Sequence, residues 1–192
     1  MMETLRLSGL MDASKPCGEG FDKLSPHGLG HGLKAKPIEP LTTGLKTMDL
    51  EKSVSQVIEA YKKAVSGKDA EALMRLYDPK VRVFDAWGVW SYEGSAAWQR
   101  AVQAWFTSLG AERALVTFED TQVMVHGEFA LVSTIATYAA SSAQGEPLRS
   151  LQNRLTWGMR LKGHQLRIVH EHTSAPMGFE DMKAILQRNV AS

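Results

Sequence analysis

The chain has 192 residues, of which 44% are hydrophobic and 22% charged, so it is long enough to fold as one domain around its own core. Its formal net charge of +1 gives no reason to expect a nucleic-acid or acidic-membrane partner, and neither is predicted. The single cysteine, Cys17, excludes an intrachain disulfide and a cysteine-based zinc site.

No apolar run approaches the length of a membrane span, and charged residues interrupt the N-terminal stretch where a signal peptide would have its hydrophobic core. The single cysteine agrees with a reducing compartment. We therefore expect a cytoplasmic protein without a membrane partner.

Residues 1–47 differ in composition from the rest, because Gly and Pro are scattered through them and neither helical nor strand periodicity persists. Such a segment buries too little apolar surface to fold by itself. The sequence therefore predicts a disordered or loosely packed tail over residues 1–47 and a folded domain over residues 48–192.

Three helices are predicted in the first half of this domain. The first runs from about Asp49 to Ser66 and ends at Gly67, and a short second helix is capped by Asp69. The third runs from Ser95 to about Leu109, and both long helices carry an apolar stripe at the helical period. The stripes consist of Val54, Val57, Ile58, Tyr61 and Val65 in the first helix, and of Trp98, Ala101, Val102, Trp105 and Phe106 in the third.

The remaining segments have the period of strands. One strand over residues 81–87 precedes the third helix, and four more follow it at residues 114–126, 129–142, 148–161 and 166–174. The short links between the last four predict antiparallel hairpins. A last amphipathic helix is predicted over about residues 178–190. The fold class is therefore α+β, with a cone-shaped, curved antiparallel sheet of about five to six strands wrapped around the three N-terminal helices.

The last predicted strand has one face of mixed character. By the two-residue period it carries Leu166, Ile168, His170, His172 and Ser174, so it begins apolar and ends in two imidazoles and a hydroxyl. This is expected of a strand whose second half lines a cavity, where the histidines would contact a ligand. The alternative is an ordinary sheet strand whose histidines are simply hydrogen-bonded.

Asp85 follows Val81 and Val83 on one face of the first strand, so its carboxylate is predicted at the end of an apolar face. Burial there would raise its pKa toward the range of a general base. The alternative is an aspartate that caps the turn after the strand. Tyr61 lies in the stripe of the first helix, where its hydroxyl either donates to a ligand or belongs to a side chain that only packs.

Tryptophans are frequent for a domain of this size, and they are candidates for the lining around a flat apolar ligand. We single out Trp87, Trp90, Trp98 and Trp157, with ordinary core packing as the alternative. Arg154 lies between apolar neighbours and is a candidate for holding an anionic group of the ligand. Its alternative is an ion pair with an acid on the sheet.

Two histidines and one carboxylate would make a metal-ligand set from His170, His172 and Asp85. No further ligand accompanies them in the sequence, so no metal is predicted. The chain also lacks a phosphate loop, a dinucleotide fingerprint and the spacing of a zinc site, so no cofactor is predicted.

Three stretches carry a resemblance to a known family. Residues 61–73 look like its first helix, its small-residue break and its capped second helix, and residues 77–85 look like its first strand. Residues 153–157 and 166–176 look like the arginine-x-threonine strand and the histidine-x-histidine-x-serine ending of its SnoaL-like members. From about Asp49 to Pro176 the chain resembles the SnoaL-like and ketosteroid-isomerase-like domains of the nuclear transport factor 2-like superfamily, which implies the cone fold and a homodimer.

In ketosteroid isomerases a tyrosine on the first helix donates to the developing enolate, and an aspartate on the first strand moves the proton. The resemblance places Tyr61 and Asp85 at these positions. The isomerases also have a second, protonated aspartate on a later strand, whereas the only acid here between Gly145 and Gly163 is Glu146 in a hairpin. The chain departs from the pattern at this point, which argues against steroid isomerisation.

Two functions remain open on the sequence alone. The first is a small-molecule-binding domain that acts as an isomerase- or cyclase-type enzyme and moves a proton on an apolar carbonyl-containing substrate without a cofactor. Its roles would be Asp85 as the base, Tyr61 and His170 as hydrogen-bond donors, and Arg154 and His172 as orienting residues. The second is a non-catalytic ligand-binding or dimerisation module of the same fold.

The expected partners are a small apolar or aromatic molecule and a second copy of the chain. The homodimer is predicted through the outer face of the sheet, which packs on no helix. On the strand over residues 148–161 that outer face carries either the apolar set Leu155, Trp157 and Met159 or the polar pair Arg154 and Thr156.

Overall fold

The computed structural model describes residues 43–188, with side chains from residue 49 onward. The predicted tail over residues 1–47 lies outside this range, except for residues 43–47, which begin the first helix. The described helices are α1 (Thr43–Ser66), α2 (Ala70–Met74) and α3 (Ser95–Ser108), and the described strands are β1 (Tyr77–Phe84), β2 (Tyr92–Glu93), β3 (Arg113–His126), β4 (Phe129–Ser141), β5 (Pro147–Lys162) and β6 (Gln165–Ser174). None of the described helices is long and apolar enough to cross a membrane.

These strands form a curved, unclosed sheet in the order β2-β1-β6-β5-β4-β3. Strands β3 to β6 pair as the antiparallel meander that their short links predict. Strand β1 lies on the other side of β6 and runs parallel to it, which the sequence did not indicate. A parallel pair needs a long connection between its strands, and here α3 and the meander supply it. The α+β class is confirmed.

The long helices bury the stripes that the helical period predicts. Val54 and Tyr61 of α1 are buried, as are Trp98 and Val102 of α3. Helix α1 packs on β3, and α3 packs on β1, so both cover the same face of the sheet, which we call the inner face. This packing leaves the opposite, outer face without a helix in the described part of the chain.

Strand β6 contains a β-bulge that decides which of its side chains face inward. In its pairing with β5, Met159 lies opposite Ile168 and Gly158 lies opposite His170, so Val169 has no partner. One extra residue reverses the alternation of faces beyond it. Ile168 is buried before the bulge and Glu171 is buried after it.

The helix predicted over residues 178–190 is wrong for the residues described, because the chain forms turns and an isolated bridge up to residue 188. Strand β6 ends at Ser174 opposite Arg154, which leaves the first half of β5 without a partner on that side. The C-terminal segment fills this edge, and Gln152 N donates to Leu186 O at 2.8 Å. Met182 has a φ of 55°, which a regular helix does not contain.

An ion pair joins the start of β1 to the end of β5. Lys162 Nζ donates to Asp78 Oδ2, and the Lys80 amide donates to Asp78 Oδ1 at 2.9 Å. Asp78 is buried, so we expect Asp78→Asn to lower the free energy of unfolding by about 1.5–3 kcal/mol, the usual range for a hydrogen bond to a charged group. Urea denaturation near neutral pH measures this change.

Asp181→Asn is the matched control, because Asp181 also accepts the amide of the residue two positions later, Lys183, but is exposed. Its side chain lies 4.0 Å from Lys183 Nζ, and such exposed pairs contribute little. Equal losses of stability in the two variants would contradict a stabilising role for the Asp78 ion pair.

Candidate functional site

A cavity of about 460 Å³ lies between the inner face of the sheet and the two long helices. Aromatic side chains make up the largest part of its wall, which also contains two acidic side chains and one amide side chain. A volume of this size accommodates a small organic molecule. The lining residues are Tyr61, Leu73, Asp85, Trp87, Gly88, Tyr92, Trp98, Ala101, Val102, Trp105, Tyr138, Leu151, Asn153, Glu171 and Thr173.

Asp85 enters the cavity directly after β1, where a hydrogen bond holds it. Thr173 Oγ1 donates to Asp85 Oδ1 at 2.8 Å and accepts the amide of Ala86, also at 2.8 Å. Burial raises the pKa of Asp85, and the bonds from Thr173 and from nearby backbone amides oppose the rise without cancelling it. Asp85 is therefore a fixed carboxylate with a strengthened affinity for a proton.

Glu171 is the second acid of the cavity and is only 1% exposed. Its Oε2 accepts two hydrogen bonds, from the Tyr77 hydroxyl and from Trp157 Nε1, the latter at 2.7 Å. Burial raises the pKa of Glu171 from 4.5 to about 7, with Asp85 adding to the rise and the two hydrogen bonds opposing it. Near neutral pH the side chain of Glu171 is therefore present in both its protonated and its deprotonated form.

Tyr61 and Tyr138 meet inside the cavity, where their hydroxyl oxygens lie 2.9 Å apart. Burial raises the pKa of both phenols, so both keep their protons at neutral pH. In such a pair one hydroxyl donates to the other, and the accepting hydroxyl still has its own proton to donate. The pair therefore offers one hydrogen bond to a ligand.

The charges around the cavity are all of one sign. Asp85 and Glu171 line it, and none of the lining side chains in residues 49–188 is a lysine, arginine or histidine. Residues 49–188 contain no group of three or more histidine, cysteine or acidic side chains that could hold a metal ion. The polar groups that the lining side chains supply include carboxyl, phenol, amide and hydroxyl groups.

Some predicted site residues lie where the sequence places them. Tyr61, Asp85, Trp87 and Trp98 all line the cavity. Trp157 faces inward but is fully buried outside the lining, where it donates to Glu171 and its ring centre lies 5.1 Å from that of Tyr61. Trp157 therefore contacts two lining residues without lining the cavity itself.

Four predicted site residues lie away from the cavity, and their assignment is corrected. Trp90 is 96% exposed on the loop after β1, and Arg154 is exposed on the outer face of β5. The β6 bulge turns His170 and His172 to the outer face as well. There the His170 Nδ1 lies 2.9 Å from the Arg82 carbonyl oxygen. His170 is thus a hydrogen-bonded sheet histidine, as the alternative interpretation has it.

Glu171, Tyr138 and Asn153 are cavity residues that the sequence did not single out. Strict alternation along β6 put Glu171 on the face opposite its observed one. One signal was available, because Gly158 lies inside β5 and a glycine inside a strand often marks a bulge. The register shift lies at this glycine.

The sequence pattern of the SnoaL-like domain family matches residues 54–178, which is the larger part of the chain. The chain therefore belongs to the SnoaL-like family, and its fold is that of nuclear transport factor 2-like (NTF2-like) proteins. No curated protein matches it.

Several solved structures share the fold. An NTF2-like protein of unknown function from Pseudomonas putida is 23% identical with a TM-score of 0.65, and the match covers 74% of this chain and 97% of that one. An NTF2-like protein with a cystatin-like fold from Novosphingobium aromaticivorans is 19% identical with a TM-score of 0.59, covering 67% and 83%. An NTF2-like family protein from Streptomyces avermitilis is 20% identical with a TM-score of 0.57, covering 69% and 99%.

Proposed function

We propose that the protein binds a small apolar carbonyl compound in this cavity and moves a proton between positions of its carbon skeleton. The observation that carries the proposal is the convergence of a fixed carboxylate, Asp85, and the Tyr61–Tyr138 hydroxyl pair on one aromatic cavity. Acid–base catalysis needs a base with a raised pKa and a donor for the charge that develops, and these residues supply both.

The proposed step starts when Asp85 takes a proton from the carbon next to the carbonyl group. The C–H electron pair then forms the enolate, whose oxygen accepts hydrogen bonds from the hydroxyl pair and from protonated Glu171. Asp85 returns the proton to another carbon, so the step needs no cofactor. The region between Gly145 and Gly163 has no counterpart of the second, protonated aspartate of ketosteroid isomerases. In the proposed step Glu171 of β6 has that role.

The state of the cavity supports an enzyme over a non-catalytic module. A module that only dimerises needs no space inside, and its tryptophans would fill the interior. Here about 460 Å³ is open, and its wall includes Asp85 and Tyr61. His170, expected as a second donor, is absent from the wall, and Tyr138 is there in its place.

Deuterium exchange into β-tetralone, a bicyclic ketone with acidic protons beside its carbonyl, tests the proposed function. Nuclear magnetic resonance in D₂O follows the loss of these protons with and without the protein. We expect the protein to accelerate the exchange and β-naphthol, a planar analogue of the enol, to inhibit it. Exchange at the buffer rate, or no binding of β-naphthol, would contradict the proposal.

We also propose a homodimer formed through the outer face of the sheet. The apolar set Leu155, Trp157 and Met159 is buried inside, so it cannot support this interface. The support comes from β3 and β4, where Met124 lies opposite Leu131 in the register and both are exposed, beside the exposed Phe129. Exposed apolar patches of this kind commonly mark interfaces.

Light scattering at micromolar concentration tests the dimer. We expect the wild type to have the mass of two chains and the double variant Met124→Glu, Leu131→Glu to have the mass of one, because four buried charges would oppose the interface. Val89→Glu is the control, since Val89 is an exposed apolar residue outside the sheet. A monomeric wild type would rule the dimer out.

The proposal places this activity in the cytoplasm. The support is the sequence, in which a single cysteine offers no disulfide for an oxidising compartment. Fractionation of cells that express the full chain tests this location, and recovery from a membrane or secreted fraction would contradict it.

A further inference from the structure

Asn153 is a cavity residue that the proposed proton transfer does not use. It lies on the inner face of β5, opposite Ala136 of β4, and it is 5% exposed. Its side-chain oxygen is buried and has no hydrogen-bond partner among the described residues. A buried amide oxygen without a partner is unusual in folded proteins, because the lost hydrogen bond to water is not replaced.

The position of Asn153 connects this unpaired group to the ligand. Asn153 is part of the cavity wall together with Leu151, which precedes it on the same face of β5. A molecule in the cavity would therefore contact the amide. The side-chain amide has an oxygen that accepts and a nitrogen that donates. A hydroxyl group both donates and accepts, so it pairs with whichever of these two atoms faces the cavity.

Among the residues that the structure describes, the other unpaired buried group of the wall is Trp98 Nε1. Burial raises the pKa of the Tyr77 hydroxyl and Trp98 Nε1 opposes this rise, although its approach to that hydroxyl falls outside hydrogen-bond geometry. Trp98 is thus partly compensated by the protein itself. Asn153 Oδ1 is the unpaired atom that depends on a ligand.

The charge of the wall restricts the ligand further. Two acids line the cavity, and no basic side chain among the described residues lines it to balance a carboxylate or phosphate of a ligand. Arg154, the residue that the sequence offered for an anionic group, is on the outer face. An anionic ligand would lose its hydration and also meet the negative charge of Asp85.

We propose that the ligand of this cavity is an uncharged molecule that carries, besides its carbonyl group, a hydroxyl group that hydrogen-bonds to the side-chain amide of Asn153. This inference rests on the proposed function, because it takes the cavity as the ligand site. It adds a second polar anchor on β5 and a selection against acids. The substrate class is therefore a neutral hydroxylated apolar ketone.

Matched naphthalene probes test the inference by isothermal titration calorimetry. β-Naphthol has one hydroxyl group, the dihydroxynaphthalene isomers have a second one at different positions, and β-naphthoate has a carboxylate in place of the hydroxyl. We expect at least one dihydroxynaphthalene to bind the wild type about tenfold tighter than β-naphthol, the effect of one added hydrogen bond to a buried unpaired group. We expect β-naphthoate to bind more weakly than β-naphthol.

Asn153→Leu is the decisive variant, because leucine has nearly the same size and no polar atom. In this variant the dihydroxynaphthalenes should bind no more tightly than β-naphthol, because the second hydroxyl has lost its partner. If no isomer gains affinity, if the gain persists in Asn153→Leu, or if β-naphthoate binds as tightly as β-naphthol, the inference is wrong while the proposed function stands. If β-naphthol itself does not bind the wild type, the proposed function fails.

Discussion

The Asp85→Asn protein is expected to exchange the α-protons of β-tetralone about 100-fold or more slowly than the wild type, the usual loss when a general base is removed. An asparagine amide has no useful affinity for a proton, so the first step of the proposed reaction loses its acceptor. The fold should be preserved, because the asparagine oxygen can still accept the 2.8 Å hydrogen bond from Thr173. The same nuclear magnetic resonance assay measures both rates.

Asp120→Asn serves as the control for this experiment, since Asp120 is an exposed aspartate on β3, away from the cavity wall. Its exchange rate should equal that of the wild type. Binding of β-naphthol separates the base from a structural role, because Asp85→Asn should still bind it. If Asp85→Asn keeps the wild-type exchange rate, another group is the base and the proposed mechanism is wrong.

Glu171→Gln is expected to change how the stability of the protein depends on pH. The pKa of Glu171 is about 7 in the folded protein and its ordinary value is 4.5, so the folded state binds the proton more tightly than the unfolded state does. The stabilisation by this proton is complete below the ordinary pKa and is lost as the pH rises through the folded pKa. The wild type should lose about 3 kcal/mol of unfolding free energy in this window.

Glutamine has no proton to lose in this range, so Glu171→Gln should not show that loss. Its side-chain oxygen can still accept the hydrogen bonds from Tyr77 and Trp157, which keeps the local packing. Urea denaturation at about pH 5 and at about pH 8 measures the effect as the difference between the two proteins, in which the pH dependence of other groups largely cancels.

Glu146→Gln is the control for Glu171→Gln, because Glu146 is exposed between β4 and β5. It should retain the pH dependence of the wild type. An unchanged pH dependence in Glu171→Gln would show that Glu171 titrates near its ordinary pKa, and would remove the protonated donor from the proposed mechanism.

The fold could be predicted from the sequence because its signals are local and regular. The stripe that includes Val54 and Tyr61 requires a helix with one buried face, and the short links after β3 require antiparallel neighbours. Part of the site followed from the same rules. Tyr61 and Trp98 belong to helix stripes. Asp85 continues the alternation of the buried Val81 and Val83. Their inward placement therefore needed only periodicity.

The positions of the other site residues could not be predicted from periodicity alone. Val169 is an extra residue in β6, and it exchanges the predicted faces of His170 and Glu171. The bulge arises from the pairing of β6 with strands on both sides, so it is a property of the assembled sheet. Tyr138 follows from no single strand either, because its partner Tyr61 is 77 positions away in the sequence.

The missing C-terminal helix has a comparable cause. The apolar spacing of Phe179, Met182 and Ile185 fits a helix, but these side chains are exposed. The free edge of β5 offers backbone hydrogen bonds to this segment, and it becomes available only because β6 stops at Ser174. Tertiary pairing therefore overrides the local pattern.

A pair of tryptophan substitutions on α3 tests whether the cavity itself binds the ligand. Ala101 lines the cavity, whereas Ala104 is exposed on the same helix, so Ala101→Trp fills the cavity and Ala104→Trp is its matched control. Calorimetric titration with β-naphthol is the measurement. We expect saturable binding to the wild type and to Ala104→Trp, and no binding to a folded Ala101→Trp protein. Equal binding by all three proteins would contradict binding in the cavity.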